Sequence, residues 1–374
     1  MPKTLMLLSK PFFGDIRVRR EARSISAAGY SVIVFSWNRE KVIESKKETA
    51  GVEVKLMGPP CPERDFLNFI VKLPRFWLSA IRASRKKQFS AVHAHDFDTL
   101  SVGFLISKLR NCPLIYDAHE SYADMIEEDA PAFAIRIVRS IEKRCLRKAR
   151  VVIASNPKVA ELIGAKDAII VMNCPSASEL PKPLSGSIRK RDVNIPCIGY
   201  FGSLEPSRFL REASNAISKH RIWRLVIAGD GTLVEEIKKA SEESDAIEYL
   251  GLLSHEDAMI HSACCSTMLI MFNPSNRNNV IGAPNRLFEG MALGVPSIVT
   301  ENSLAADIVQ KEKCGFICKY DESAFSNLLS HLAINPFELV DAGRHGQEAF
   351  KREYNWEVQA AKLTKAYSGL LGKL

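Results

Sequence analysis

The chain has 374 residues, 46% of them hydrophobic and 25% charged, which excludes wholesale disorder and gives a length suited to two α/β cores rather than one. No run approaches the 18 apolar residues that a membrane span needs, and Leu5 to Leu8 is interrupted at once by Ser9 and Lys10, so no secretory signal is expected. The formal net charge of +8 favours anionic surfaces or substrates without naming one.

In chain order, short β-rich apolar runs occur at Thr4–Ser9, Ser31–Trp37, Ala91–His95, Pro113–Asp117, Val151–Ser155 and Ile169–Met172. Amphipathic segments such as Arg17–Ala28 and Phe133–Ala149 lie between several of them. Continuous apolar strands alternating with helical periods predict a parallel sheet covered on both faces. From Cys174 to Asn194, with Pro175, Pro181, Pro183 and Gly186, neither period is present, and the stretch reads as a linker. The alternation then restarts with strands at Cys197–Phe201, Arg224–Ala228, Ile247–Leu250, Thr267–Phe272, Pro296–Val299 and Phe316–Lys319. Helices are expected at Leu233–Ala240, Asn285–Leu293 and Glu322–Ala333. The predicted division is an N-terminal Rossmann-like domain over 1–175, a linker over 176–194, a second Rossmann-like domain over 195–352, and a terminal helix over 353–374. Such sheets bind ligands beyond the carboxyl ends of their strands, so two of them are expected to enclose a cleft. The nine cysteines show no metal-ligand spacing and are expected to be free thiols in a cytosolic setting.

The motif richest in chemistry is Gly282-Ala-Pro-Asn-Arg-Leu-Phe-Glu289-Gly-Met-Ala-Leu-Gly294-Val-Pro296. A loop with Gly282 and Pro284 leads into a helix whose first turn holds Asn285 and Arg286. Free N–H groups and the positive end of the helix dipole at such a terminus attract a diphosphate. Glu289 follows one turn later, within reach of ribose hydroxyls. The same segment, taken alone, also fits an ordinary helix with Glu289 in water.

This segment resembles the nucleotide-binding helix of the retaining glycosyltransferases of the GT-B fold, the large group 1 family (family four). Other stretches fall in the same order: Asp15-Ile-Arg-Val-Arg-Arg-Glu21-Ala with Ala28-Gly29-Tyr-Ser-Val, Ala94-His95-Asp96, and Tyr116-Asp117-Ala-His119-Glu120. They continue with Gly199-Tyr-Phe-Gly202-Ser203, Ile227-Ala-Gly229-Asp230-Gly231 and Tyr354-Asn-Trp356-Glu357, so the resemblance covers nearly the whole chain. It implies α/β architecture with two doubly wound domains facing each other across a cleft, and a last helix that returns to the first domain. It also implies a glycosyltransferase that moves sugar from a nucleotide-diphosphate sugar to a glycan or lipid-linked acceptor. By the same resemblance Glu289 holds the ribose, the Asn285 and Arg286 amides hold the diphosphate, and Ser203 and Arg208 add diphosphate contacts. Gly14 approaches phosphate and sugar through its backbone, Leu252 approaches the nucleobase through its main chain, and His119 lines the reaction centre. No cofactor is implied besides the donor substrate. Two positions depart from the pattern: Ile281 stands where the family often has a first glutamate, and Phe209 where it has a lysine, leaving Arg208 as the nearest cation.

His93 and His95 beside Asp96 could suggest a metal, but alternation puts the aspartate on the opposite face of the strand, and no metal site is expected. Two basic amphipathic segments bear on the acceptor or on an anionic membrane surface. The aromatic density of Phe66, Leu67, Phe69, Ile70, Phe76, Trp77 and Leu78 favours such a contact for the first. In the second, the apolar positions Ile135, Val138, Ile141, Cys145 and Leu146 are expected to pack on the sheet, with Arg136, Arg139, Lys143, Arg144, Arg147 and Lys148 solvated. A sugar-nucleotide 2-epimerase and a catalytically degenerate sugar-nucleotide-binding protein share the architecture and stay open as alternatives, whereas no nucleic-acid recognition motif is present.

Overall fold

A computed structural model describes residues 1–39, 51–61, 66–126, 130–181, 195–220 and 222–372. The chain divides into two compact units, residues 1–173 with 359–374, and residues 174–358. Much of the expected linker, residues 182–194, lies outside the described residues.

The first unit is a parallel sheet in the order β3-β2-β1-β4-β5-β6-β7. Its strands are β1 (Lys3–Leu8), β2 (Ser31–Trp37), β3 (Val52–Met57), β4 (Ala91–His95), β5 (Leu114–Ala118), β6 (Val151–Ala154) and β7 (Ile169–Ile170). Its helices are α1 (Ile16–Ala27), α2 (Phe66–Ser84), α3 (Phe97–Arg110), α4 (Tyr122–Met125), α5 (Ala132–Leu146) and α6 (Pro157–Leu162). The central strands are buried along their whole length, as their uninterrupted apolar runs require when helices cover both faces. Leu5, Leu7, Ile33, Phe35, Val92, Ala94 and Leu114 form the middle of the core. The edge strand β3 was not expected; the alternation of Val52, Val54 and Leu56 is its signal, and it is half-buried because it has a neighbour on one side only.

The second unit is also all parallel, in the order β10-β9-β8-β11-β12-β13. Its strands are β8 (Cys197–Phe201), β9 (Arg224–Ala228), β10 (Ile247–Tyr249), β11 (Thr267–Ile270), β12 (Ser297–Thr300) and β13 (Gly315–Cys318). The helices are α7 (Leu210–His220), α8 (Val234–Glu243), α9 (His255–Ala263), α10 (Arg277–Ile281), α11 (Asn285–Leu293), α12 (Leu304–Glu312), α13 (Glu322–Ile334) and α14 (Pro336–Arg352). The last helix, α15 (Trp356–Leu371), contributes its residues from Gln359 onward to the first unit. There Tyr367 is fully buried, edge-on to Tyr30 at 5.6 Å. Strand order reverses between β1 and β4 in one unit and between β8 and β11 in the other. Both reversals open a crevice beyond the carboxyl ends of the strands.

Phe69, Phe76 and Trp77 of α2 pack into the core rather than onto the surface. Trp37 closes β2 with a large apolar ring, and α2 covers it: Phe69 and Phe76 stack on it at 5.4 and 5.5 Å. Trp77 donates its Nε1–H to the Asp98 carbonyl at 2.8 Å. The side chains of Phe66 and Leu67 lie outside the described residues. The expectation for α5 is also reversed in part. Ile135 and Cys145 are buried, but Phe133, Ile137 and Ile141 are 66%, 53% and 36% exposed.

Candidate functional site

In the first unit the crevice lies at the ends of β1, β4 and β5. Parallel register pairs His95 with Asp117, and β4 alternation puts His93 on the same face, where its ring stacks on His95 at 4.2 Å. Helix α1 lies over that face. Asp15 caps it by accepting from the Val18 amide at 2.9 Å, which sets Arg17 and Glu21 inward. Arg17 reaches the Asp117 carboxylate at 2.8 Å and Glu21 at 3.0 Å, and donates to the Val171 carbonyl at 2.6 Å. Glu21, His93, His95 and Asp117 are fully buried, and their donor atoms lie within 4.8 Å of one another. That convergence was not expected from the sequence, which weighed only Asp96 as a partner of the histidines. The Arg17 guanidinium supplies the positive charge that two buried carboxylates require.

The electrostatics sort these groups. Burial favours a protonated Asp117, but Arg17 and then His119 outweigh it and hold the carboxyl well below the usual range. Glu21 goes the other way, raised by burial and by Asp117 beside it. His93 and His95 are pushed down by burial and are neutral; His93 Nδ1 meets the Tyr367 hydroxyl at 2.8 Å. His119 sits at the mouth. Burial opposes its charge, yet Asp96 and Asp117 prevail and raise it. Its Nε2 is 3.1 Å from Asp117 and its Nδ1 3.3 Å from Asp96, an arrangement that satisfies an imidazolium with two N–H donors.

Asp96 completes the rim. It has a left-handed φ of 62°, a strained conformation for a residue other than glycine. Its carboxylate accepts the His119 amide at 3.0 Å and faces Lys10 at 3.8 Å. Lys10 also pairs with Asp15 at 3.2 Å. Although burial opposes it, Lys10 and His119 hold Asp15 down to about 2. Gly14 ends the turn just before Asp15, with open space where a Cβ would stand. Lys10, Asp15 and Asp96 belong to this site and were missed as site residues, since nothing local in the sequence marks them as neighbours.

Behind the rim, Asp98 is pushed up to about 6 by burial and by Asp96, and accepts from the Ser9 hydroxyl. Because its folded value lies above the unfolded one, its contribution is fully present below about pH 4 and is lost as pH rises through 6. Asp98→Asn is therefore expected to gain stability relative to wild type by roughly 2 kcal/mol on going from pH 4 to 7. Urea unfolding at the two pH values measures it; an equal offset at both would refute the assignment.

In the second unit, Ser203 and Arg208 follow β8, and the first turn of α11 brings Arg286 against the turn at Gly202. The turn after Gly202 crosses the turn after β9 so closely that a Cβ on Gly229 would strike the Gly202 carbonyl. Gly229 has φ 146°, which also favours glycine. A Cβ on Gly202 would strike the Arg286 guanidinium. Arg286 lies over the Tyr200 ring at 5.5 Å, and Arg208 over Phe272 at 4.2 Å with a bond to Asn279 at 3.3 Å. Among the described residues neither guanidinium makes an ion pair with a carboxylate. Burial, with Arg208 adding to it, lowers Arg286. Arg208 lies near enough to act on Arg286, which belongs to the first turn of α11, where Pro284 supplies no side-chain cap. Glu289 follows one turn on, half-buried and near enough to act on Arg286. Asn285 and Ser203 are exposed at the mouth, and Leu252 is 76% exposed just past Gly251.

The two departures have structural accounts. Phe209 is fully buried at φ 58°, edge-on to Tyr320 and Phe325 at 4.8 and 5.4 Å. It is a core residue that turns the chain and leaves Arg208 facing the crevice. Ile281 is buried at the end of α10. The structure thus groups Ser203, Arg208, Asn285, Arg286 and Glu289 in the second unit, and Gly14 and His119 in the first.

Residues 15–169 match the model of the glycosyl transferase 4-like domain, and residues 195–335 that of glycosyl transferases group 1. No curated protein is a significant sequence match. Among solved structures, sucrose-phosphate synthase from Thermosynechococcus elongatus is similar with a TM-score of 0.79 at 17% identity, over 98% of this chain and 99% of that one. Anabaena HepE in complex with UDP-glucose gives 0.72 at 14% identity, over 98% and 100%. WaaG, a glycosyltransferase involved in lipopolysaccharide biosynthesis, gives 0.68 at 12% identity over both whole chains. These likenesses carry the fold, and the two domain models, which between them cover most of the sequence, carry the family: the chain is a glycosyltransferase of group 1, built as two Rossmann-like units of the GT-B class.

Proposed function

We propose that this enzyme transfers a sugar from a nucleoside-diphosphate sugar to a glycan or lipid-linked acceptor with retention of anomeric configuration. The observation that carries the donor reading is that Arg208 and Arg286 lie near enough to act on each other, with Arg286 in the first turn of α11, which has no side-chain cap. Two guanidiniums without carboxylate partners beside free helix N–H groups suit a diphosphate better than any neutral ligand. The similar HepE was solved with UDP-glucose, and WaaG acts in lipopolysaccharide biosynthesis; both support the substrate classes.

In this reading the Asn285 and Arg286 amides and the Ser203 hydroxyl hold the diphosphate, and Glu289 holds the ribose. Leu252 borders the base through its main chain, while Gly14 and His119 stand at the sugar. Departure of the nucleoside diphosphate builds charge on its terminal phosphate, and Arg208 with the helix terminus stabilises that charge. The donor is a substrate, and the reading needs no further cofactor. A lipid-linked acceptor would be met at the anionic inner face of a membrane. The test is a thermal-shift panel of UDP-, GDP- and ADP-sugars. One donor is expected to raise Tm, since a ligand that binds only the native state stabilises it; no shift with any of them defeats the donor reading.

A further inference from the structure

Helix α5 carries three faces. Ile135, Glu142 and Cys145 are buried. Phe133, Ile137 and Ile141 follow at every fourth position and are all exposed, so they form one ridge along the helix. Arg139, Lys143 and Arg147 repeat at the same interval on another side, and all three are exposed. Beyond them lies a groove of about 870 Å³ between α5 and the stretch leading to β7, lined also by Arg150, Lys166, Leu146, Val152 and Ile163, where five cations outnumber the carboxyls of Glu142 and Asp167.

We propose that this side of α5 is an interfacial surface for an anionic lipid bilayer, with the ridge entering the headgroup boundary and the basic groove taking lipid phosphates. It refines the membrane contact of the proposed function by giving it a place. The ridge is a single line of side chains, too narrow for the apolar centre of a stable protein interface. Cations flank it, with Arg144 and Lys148 near its C-terminal end and both exposed. An amphipathic helix of this composition lies in a bilayer interface, and its charge complements anionic headgroups. Helix α2 also leaves Ile70, Val71 and Leu78 exposed, with Phe69 and Phe76 spent on Trp37; what sets α5 apart is the groove of cations that runs beside its ridge.

The experiment is co-sedimentation of the full chain with vesicles at low salt. Wild type is expected to pellet with vesicles of equal phosphatidylglycerol and phosphatidylcholine, and to remain in solution with phosphatidylcholine alone. The triple variants Phe133→Ser/Ile137→Ser/Ile141→Ser and Lys143→Glu/Arg144→Glu/Arg147→Glu should each lose on the order of 100-fold in partitioning. The variant Ile70→Ser/Val71→Ser/Leu78→Ser should bind as wild type. Failure of wild type to pellet, undiminished binding by both α5 variants, or loss confined to the α2 variant overturns the proposal. So does concentration-dependent self-association, seen by light scattering without lipid, that both α5 variants abolish. The donor-induced thermal shift, measured on the same samples, shows that each variant is folded. A wild type that pellets without any donor shift would defeat the donor reading alone.

Discussion

Arg17→Met is expected to cost about 3–5 kcal/mol of folding stability near neutral pH, the cost of breaking a buried ion pair from one side. Arg17 contacts both Asp117 and Glu21 at or below 3.0 Å, and all three are buried. Without it, Asp117 is a carboxylate stranded in a low dielectric beside a second carboxyl. The pH dependence carries the sign. In wild type the Asp117 value is depressed, so its contribution is present above about pH 4 and is lost only as pH falls towards the folded value. In the variant, burial dominates and raises that value, so stability is lost as pH rises instead. The deficit is therefore deepest at neutrality and shrinks towards pH 4. Glu21→Gln is the control: burial and Asp117 beside it raise the Glu21 carboxyl, which favours its neutral form, and the amide should cost far less. Urea unfolding at the two pH values is the measurement, and a loss under about 1 kcal/mol at neutrality would show that Arg17 does not neutralise the cluster.

The second large effect concerns the donor. Glu289→Ala is expected to abolish the stabilisation given by the best sugar nucleotide while leaving the unliganded Tm nearly unchanged. At a ligand concentration 100 times Kd the native state gains about 2.7 kcal/mol. A hydrogen bond to a charged group contributes roughly 1.5–3 kcal/mol, so its loss weakens binding about 10- to 150-fold. At the same concentration a 100-fold loss leaves only about 0.4 kcal/mol of stabilisation, below what a thermal shift resolves well. Glu289→Gln, which keeps one acceptor, should retain part of the shift. An undiminished shift in the alanine variant would remove Glu289 from the donor site.

Much of the second-unit site was legible because it is written in consecutive residues. Pro284 and Gly294 bound α11 at its two ends, and Arg286 and Glu289 follow from helical spacing alone. The first-unit site was legible only at His119 and Gly14. Its other members come from two stretches that meet at the ends of β1 and β4: Lys10 and Asp15 after β1, and Asp96 after β4. Their individual types are unremarkable until the strand order places them together. Phe209 shows the same limit on a smaller scale. As a string it looked like a lost cation, whereas its backbone and its contacts with Tyr320 and Phe325 make it a core residue.

The sequence by itself determined the two parallel sheets, because strands buried on both faces must be continuously apolar and Leu5–Leu8, Val32–Phe35 and Leu225–Ala228 are. It also determined where α11 begins, at Asn285 after Pro284. Only the tertiary structure decided that α2 spends Phe69 and Phe76 on Trp37 while α5 leaves Phe133, Ile137 and Ile141 in solvent, and that Arg17 and Glu21 turn inward to meet Asp117. Periodicity reports which residues share a face of their own helix; which neighbour covers that face, and which charge waits beneath it, depends on strand order and register between residues 20 to 100 positions apart.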